Sequence, residues 1–148
     1  MTSKQPITQR HVELHNDVRQ ISVLTDFVTG IAREGHLDSS AVQSLVLAME
    51  EAVVNVLMYA YPEKTVGIVD VQATLYPDSI EFTVTDAGKP FDPTAAPRAD
   101  ISLGLEDRPV GGLGIHLVRT IMDSVRYSRE GGRNILKLTK NIQTWKSR

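Results

Sequence analysis

At 148 residues, the chain has the length of one ordinary domain, enough to bury roughly two thirds of the surface its unfolded form exposes. Its lack of cysteine excludes disulfide frameworks, thiolate zinc sites, thiol nucleophiles and iron–sulfur clusters together. A formal net charge of −2 with scattered cations leaves no broad attraction for nucleic-acid backbones, and neither an apolar leader nor an apolar run near the roughly 20 residues of a membrane span stands out. The expectation is a single cytoplasmic domain over residues 1–148, with no direct nucleic-acid or membrane partner.

In chain order, residues 7–14 alternate weakly and predict an edge strand. Asn16 or Asp17 then offers an N-cap for a helix to about Arg33, because Val18, Ile21, Leu24, Phe27, Val28 and Ile31 recur at helical spacing until Gly35. Asp38 caps a second predicted helix whose main stripe is Val42, Leu45, Val46, Met49, Val53, Val56 and Leu57, ending near Ala60 before Tyr61-Pro62. Residues 66–76 read as a strand, Pro77-Asp78 as a turn, and Ile80, Phe82 and Val84 alternate with polar residues in a second strand of the same hairpin. From Ala87 to Gly111 periodicity vanishes and Pro90, Pro93, Pro97 and Pro109 exclude long regular elements; so long a loop in a small domain predicts a functional lid. A short helix over 113–123 and two strands near 125–129 and 134–139, around Gly131-Gly132, complete the order, with residues 141–148 as a loose tail. Strand, two helices, hairpin, lid, helix and two strands predict an α+β sandwich, helices on one face of a mixed, mainly antiparallel sheet.

Three places can carry chemistry. On the second helix, Glu51 and Asn55 lie four residues apart on one face, flanked by Leu47, Ala48, Val54 and Met58. Such a helix is apolar almost all round and normally buried, so these polar groups either reach solvent past small neighbours or take a bound cation and polar ligand as partners. In Asp86-Ala87-Gly88, strand parity points Asp86 toward the core beside Val84. It is either part of a strand-ending turn or an acceptor for an exocyclic amino group such as that of adenine, with Gly88 allowing close backbone approach. Finally, Gly111-Gly112-Leu113-Gly114 precedes a helix carrying Ile115, Leu117, Val118, Ile121 and Met122. Glycines there either expose N–H groups and the helix dipole to a phosphate or form a flexible entry to a packing helix. Ile115-His116 after Gly114 rules out a Walker loop, and Leu117 stands where a Rossmann fingerprint needs its third glycine. His116 has no second histidine placed to complete a zinc site and is expected at the surface.

Together, Glu50-Glu51-Ala52-Val53-Val54-Asn55, Asp86-Ala87-Gly88-Lys89-Pro90-Phe91 and Gly111-Gly112-Leu113-Gly114-Ile115-His116, followed by Met122-Asp123-Ser124-Val125, resemble the GHKL ATPases. That superfamily includes histidine kinases, gyrase and MutL. Within it the chain looks most like the anti-sigma-factor serine/threonine kinases of partner-switching systems, over about residues 10–140. The resemblance implies the two-layer Bergerat-type ATP-binding fold, with ATP and Mg²⁺ as cofactors. It implies Glu51 as general base toward a serine or threonine hydroxyl, Asn55 as Mg²⁺ ligand, and Asp86 on the adenine amino group. Gly88, Lys89, Phe91, Gly111, Gly112, Leu113, Gly114 and Ile115 would line the nucleotide, with residues 87–111 closing over it. Tyr59 stands where many relatives carry His, Asn134 where Thr is usual, and Val110 where an Arg precedes the glycine pair, which makes Arg108 the nearest guanidinium for the γ-phosphate. The implied partners are a STAS-type anti-sigma-factor antagonist as substrate, a sigma factor, and a second copy of the chain in a homodimer. A nucleotide-dependent binding module without transfer is the alternative.

Overall fold

The computed structural model describes residues 5–15, 17–61, 67–95 and 112–142. Along them run β1 (Thr8–His15), α1 (Ile21–Glu34), α2 (Ser39–Tyr59), β2 (Ile68–Tyr76), β3 (Ser79–Asp86), α3 (Gly112–Ile121), β4 (Ser124–Glu130) and β5 (Arg133–Asn141). Short 3-10 turns at Val18–Gln20 and Pro93–Ala95 join them. The strands form one sheet in the order β1-β2-β3-β5-β4, and every neighbouring pair is antiparallel, so among the described residues no parallel strand mixes in. β4 and β5 are neighbours because their hairpin closes on Gly131 and Gly132, whose φ values of 57° and 76° are those a tight two-residue hairpin turn requires, while pairing with the distant β3 puts β5 inside the sheet.

Strand alternation decides where the core lies. Val69, Val71, Ala73 and Leu75 on β2, Ile80, Phe82 and Val84 on β3, and Leu136 and Leu138 on β5 are buried in one cluster with Leu24, Val28 and Ile31 of α1, Leu45, Met49 and Val53 of α2, and Ile115 and Val118 of α3. Each full burial of such a side chain contributes about 1.5–3 kcal/mol against the entropy of ordering it. The opposite strand positions, including Glu13, Gln72, Thr83, Thr85 and Lys137, are half-buried or exposed. The molecule is therefore a two-layer α+β sandwich with its helices on one side of the sheet.

The element ends carry the differences from expectation. Asn16 lies outside the described residues, and Asp17 caps the 3-10 turn rather than α1: its Oδ1 accepts from Arg19 N at 2.9 Å, and α1 begins later, after Gln20, with no side-chain cap. After α1 the left-handed residue is His36, at φ 61°, not Gly35. Asp38 caps α2 as expected, its Oδ1 accepting from Ala41 N at 2.8 Å. By length and composition α2 would suffice to cross a membrane, a correction to the reading of the apolar runs. Gln43, Ser44, Glu50 and Glu51 break the run but do not bring its average down, and the helix is instead packed between α1, α3 and the sheet. The described part of the expected lid, 87–95, holds a bend and the Pro93–Ala95 turn; residues 96–111 and 143–148 fall outside the described residues.

Candidate functional site

One face of α2 presents Glu51, Asn55 and Tyr59 at successive turns. Asn55 is buried at 6% exposure, and Glu51 and Tyr59 are half-buried. Among the described residues, neither the Glu51 nor the Asn55 side chain makes a hydrogen bond, and the Tyr59 hydroxyl is a buried polar atom without a partner. Native structures satisfy nearly all such groups. The adjacent Glu50 shows the contrast: it faces α1, where Thr25 Oγ1 donates to its Oε1 at 2.6 Å. These three groups, unpaired among the described residues, thus line up on one side of α2.

α3 closes against this face through Gly114. A methyl placed on Gly114 would lie 2.7 Å from Glu51 Oε2 and 3.5 Å from Asn55 Nδ2, so only glycine leaves the Glu51 carboxylate where it stands. Gly112 opens α3 rather than preceding it, which corrects the expected start at Leu113 and puts all of Gly112, Leu113 and Gly114 in the first turn. Their N–H groups have no partner inside the helix and, with the helix dipole, form an anion-seeking end beside Glu51 and Asn55. Ile115 turns the other way and is buried in the core, packing α3 down rather than facing a ligand directly.

The far end of the α2 face meets the end of β3. The Tyr59 and Phe91 rings lie 5.5 Å apart, centroid to centroid. Lys89 N donates to Ala60 O at 2.8 Å, which ties the chain after β3 to the C-terminal end of α2; the Lys89 side chain itself is exposed. Gly88 sits so close that a Cβ would fall 2.2 Å from Ala60 O. Asp86, 3% exposed, points inward as strand parity requires. Its Oδ1 accepts from Gly88 N and from Asn134 Nδ2, each at 2.9 Å, and among the described residues no hydrogen bond reaches Oδ2. Burial pushes the Asp86 carboxyl above the ordinary aspartate value, while the bonds from Asn134 and Gly88 and the charge of Arg129 oppose that rise.

Asn134 is the residue that motif reasoning passed over as a mere departure from the usual Thr. Its Nδ2 donates to Asp86 Oδ1 and, at 2.8 Å, to Lys89 O, and its Oδ1 accepts from Phe91 N at 3.1 Å and Tyr127 Oη at 2.5 Å. One amide therefore holds the Asp86 carboxylate and the Lys89–Phe91 backbone together. The signal lay in the parity of β5, where Asn134 shares the inward face with Leu136 and Leu138, since an inward amide must find partners. Asn134→Ala leaves several of these groups unpaired; urea unfolding is expected to show a loss of about 2–4 kcal/mol. The rest of the stem is pinned from outside: Arg129 Nη1 donates to Gly88 O at 2.8 Å and Arg119 Nη2 to Thr94 O at 2.6 Å.

Glu51, Asn55 and Gly114 are thus brought into contact range of one another, and Asp86, Gly88 and Phe91 adjoin the C-terminal end of the same helix. Arg108 and Gly111 lie outside the described residues, as does the side chain of Leu113. His116 is exposed, as expected. A carboxylate, an amide and a hydroxyl without partners among the described residues, a helix end seeking an anion, and a buried carboxylate with an oxygen unbonded among those residues fit the donor set that a magnesium-bound purine nucleotide needs.

The profile of the histidine kinase-like ATPase domain matches residues 14–140. A serine-protein kinase RsbW of Bacillus cereus is 31% identical over 127 residues, covering 83% of this chain and 78% of that protein. The serine-protein kinase RsbW of Halalkalibacterium halodurans is 33% identical over 127 residues, covering 83% and 76%. Among solved structures, the RsbU and RsbW domains of Rv1364c from Mycobacterium tuberculosis align with a TM-score of 0.64 at 18% identity, over 91% of this chain and 32% of that one, a likeness of fold.

Proposed function

Because this chain belongs to the histidine kinase-like ATPase domain family, we propose that it is an ATP-dependent serine/threonine protein kinase and anti-sigma regulatory factor. Its substrate is a STAS-type antagonist protein. The observation that carries the reading is the unsaturated α2 face of Glu51, Asn55 and Tyr59, met by the glycine-opened turn of α3. Relatives named serine-protein kinase over most of this chain support the transfer chemistry.

In this reading Asn55 holds Mg²⁺ by its side-chain oxygen, and Asp86 accepts the adenine amino group. ATP with Mg²⁺ would supply the γ-phosphoryl group, the cation offsetting the negative charge of the phosphates. Glu51 would accept the proton of the substrate hydroxyl as its oxygen bonds to the γ-phosphorus and the bond from that phosphorus to the bridging oxygen breaks, with ADP as the leaving group. The first-turn amides of α3 and the missing Cβ of Gly114 leave room and donors for phosphate oxygens. Gly88, Lys89 and Phe91 would line the base side of the site, with Ile115 seating α3; Gly111, Leu113 and Arg108 are assigned to the phosphates by the family resemblance alone. The finer assignments are a cytoplasmic site of action, a sigma factor as second partner, and a homodimer.

Asp86→Asn exchanges an anionic acceptor for an amide that offers a donor toward the adenine amino group. ATP affinity, read by calorimetry, is expected to fall about 10- to 100-fold, the worth of one charge-assisted hydrogen bond. Affinity equal to the parent's would remove Asp86 from base recognition. The transfer itself is tested by incubating the protein with Mg-ATP and a STAS-type protein from the same genome. Phosphoserine or phosphothreonine on that protein is the expected product; none, at ATP concentrations that saturate the site, contradicts the kinase reading.

A further inference from the structure

The open face of the sheet, opposite the helices, carries a second cluster of ligand-type side chains that the nucleotide reading does not use. In β1 the inward positions are Val12 and Leu14, so His11 and Glu13 share the outward face. In β2 Val69 and Val71 are fully buried, which turns Asp70 outward. The antiparallel register sets Glu13 directly opposite Asp70, with His11 one step along, opposite Gln72. One ligand atom from each of His11, Glu13 and Asp70 lies within 4.8 Å of the others. His11 Nε2 and Asp70 Oδ1 already pair, and Asp70 Oδ1 is shielded from solvent yet lacks a hydrogen bond of good geometry.

We infer that His11, Glu13 and Asp70 form a binding site for a first-row divalent transition metal of the Zn²⁺ class. Two carboxylates facing each other across an antiparallel pair repel and destabilise the sheet unless a cation lies between them. Arg10, the neighbouring guanidinium on β1, is turned to the other face and paired with Glu34, so it does not serve. Ligand atoms about 2.0–2.2 Å from one tetrahedral ion lie about 3.3–3.6 Å apart, so rotamer adjustments of about an ångström in these half-buried and exposed side chains close the site. The donor set selects the ion. One imidazole nitrogen with two carboxylate oxygens suits Zn²⁺ and its neighbours, whereas Mg²⁺ and Ca²⁺ favour all-oxygen shells of six or more ligands. Three protein ligands leave a further position for water, and the site lies at the edge strand, open to solvent.

Zn²⁺ titrated into the full chain in excess Mg²⁺, followed by calorimetry, is expected to show one saturable site per chain. His11→Ala and Asp70→Asn should each weaken it by at least about 10-fold, since loss of even an outer-shell partner costs that much in metal sites. His116→Ala, which alters an exposed histidine on α3, should not. Glu13→Gln separates a ligand from a merely structural ion pair: it should weaken Zn²⁺ binding while leaving the metal-free melting midpoint unchanged or higher, because it removes the facing like charge. Absence of saturable Zn²⁺ binding in excess Mg²⁺ overturns the inference, as does parental affinity in both His11→Ala and Asp70→Asn. Neither outcome touches the nucleotide site, which is read separately by ATP binding.

Discussion

Glu51→Gln is expected to lower phosphoryl transfer to the STAS-type substrate by about 100- to 10,000-fold while leaving ATP affinity nearly unchanged. The substitution keeps the shape of the side chain and removes only its ability to take a proton. Glu51 makes no hydrogen bond or ion pair among the described residues, so the carboxamide breaks no internal partnership and folding should be unaffected. Asn55 remains one turn away with its amide intact, so the Mg²⁺ ligand is not lost. Initial rates at saturating ATP, together with calorimetric ATP binding, separate the two quantities. A variant as fast as its parent would take Glu51 out of the chemistry, and a variant that no longer binds ATP would make it a binding residue instead.

Gly114→Ala should damage activity without damaging the fold. An alanine methyl at this position would come 2.7 Å from Glu51 Oε2, closer than real contacts allow, but that atom is the end of a movable side chain and not backbone. Alanine also favours the helix over glycine by up to about 1 kcal/mol, which offsets part of the crowding. The stability measured in urea is therefore expected to stay close to the parent's. What gives way is the Glu51 carboxylate, and displacement of a reacting group by about an ångström costs on the order of 100-fold in rate. Gly88→Ala provides the opposite case, because its methyl would meet the Ala60 carbonyl oxygen at 2.2 Å and the carbonyl carbon at 2.7 Å. Backbone cannot step aside so easily, and a loss of about 1–3 kcal/mol in stability is expected there. Equal destabilisation of the two variants would contradict this division between a glycine that makes room for a functional carboxylate and one that packs a strand end on a helix.

Most of the architecture was legible because it rests on periodicity. The inward residues of β2, β3 and β5 and the stripes of α1 and α2 are apolar at the spacing their elements demand, and strand parity placed Asp86 in the core correctly. Strand order was not legible, since the position of β5 between β3 and β4 depends on pairing between distant segments rather than on any local pattern. Helix starts were misjudged where a local competitor intervened: Asp17 bonds Arg19 in a 3-10 turn, and Gly112 joins α3 instead of standing ahead of it. The face of Glu51 and Asn55 was visible as an anomaly on an apolar helix, but the sequence left open whether those groups reach solvent. Their lack of partners among the described residues, under Gly114, is a property of helix packing. Asn134 was seen only as a substitution in a motif, because its four bonds run to residues 43 to 48 positions earlier and 7 positions earlier in the chain.

All of these assignments require that the α2 face, the end of β3 and the first turn of α3 bind one magnesium-nucleotide. Calorimetric titration of the chain with ATP, in the presence and absence of Mg²⁺, tests this directly. One ATP per chain, with affinity that falls when Mg²⁺ is withheld, is the expected result; no saturable heat in either condition would contradict the site as a whole.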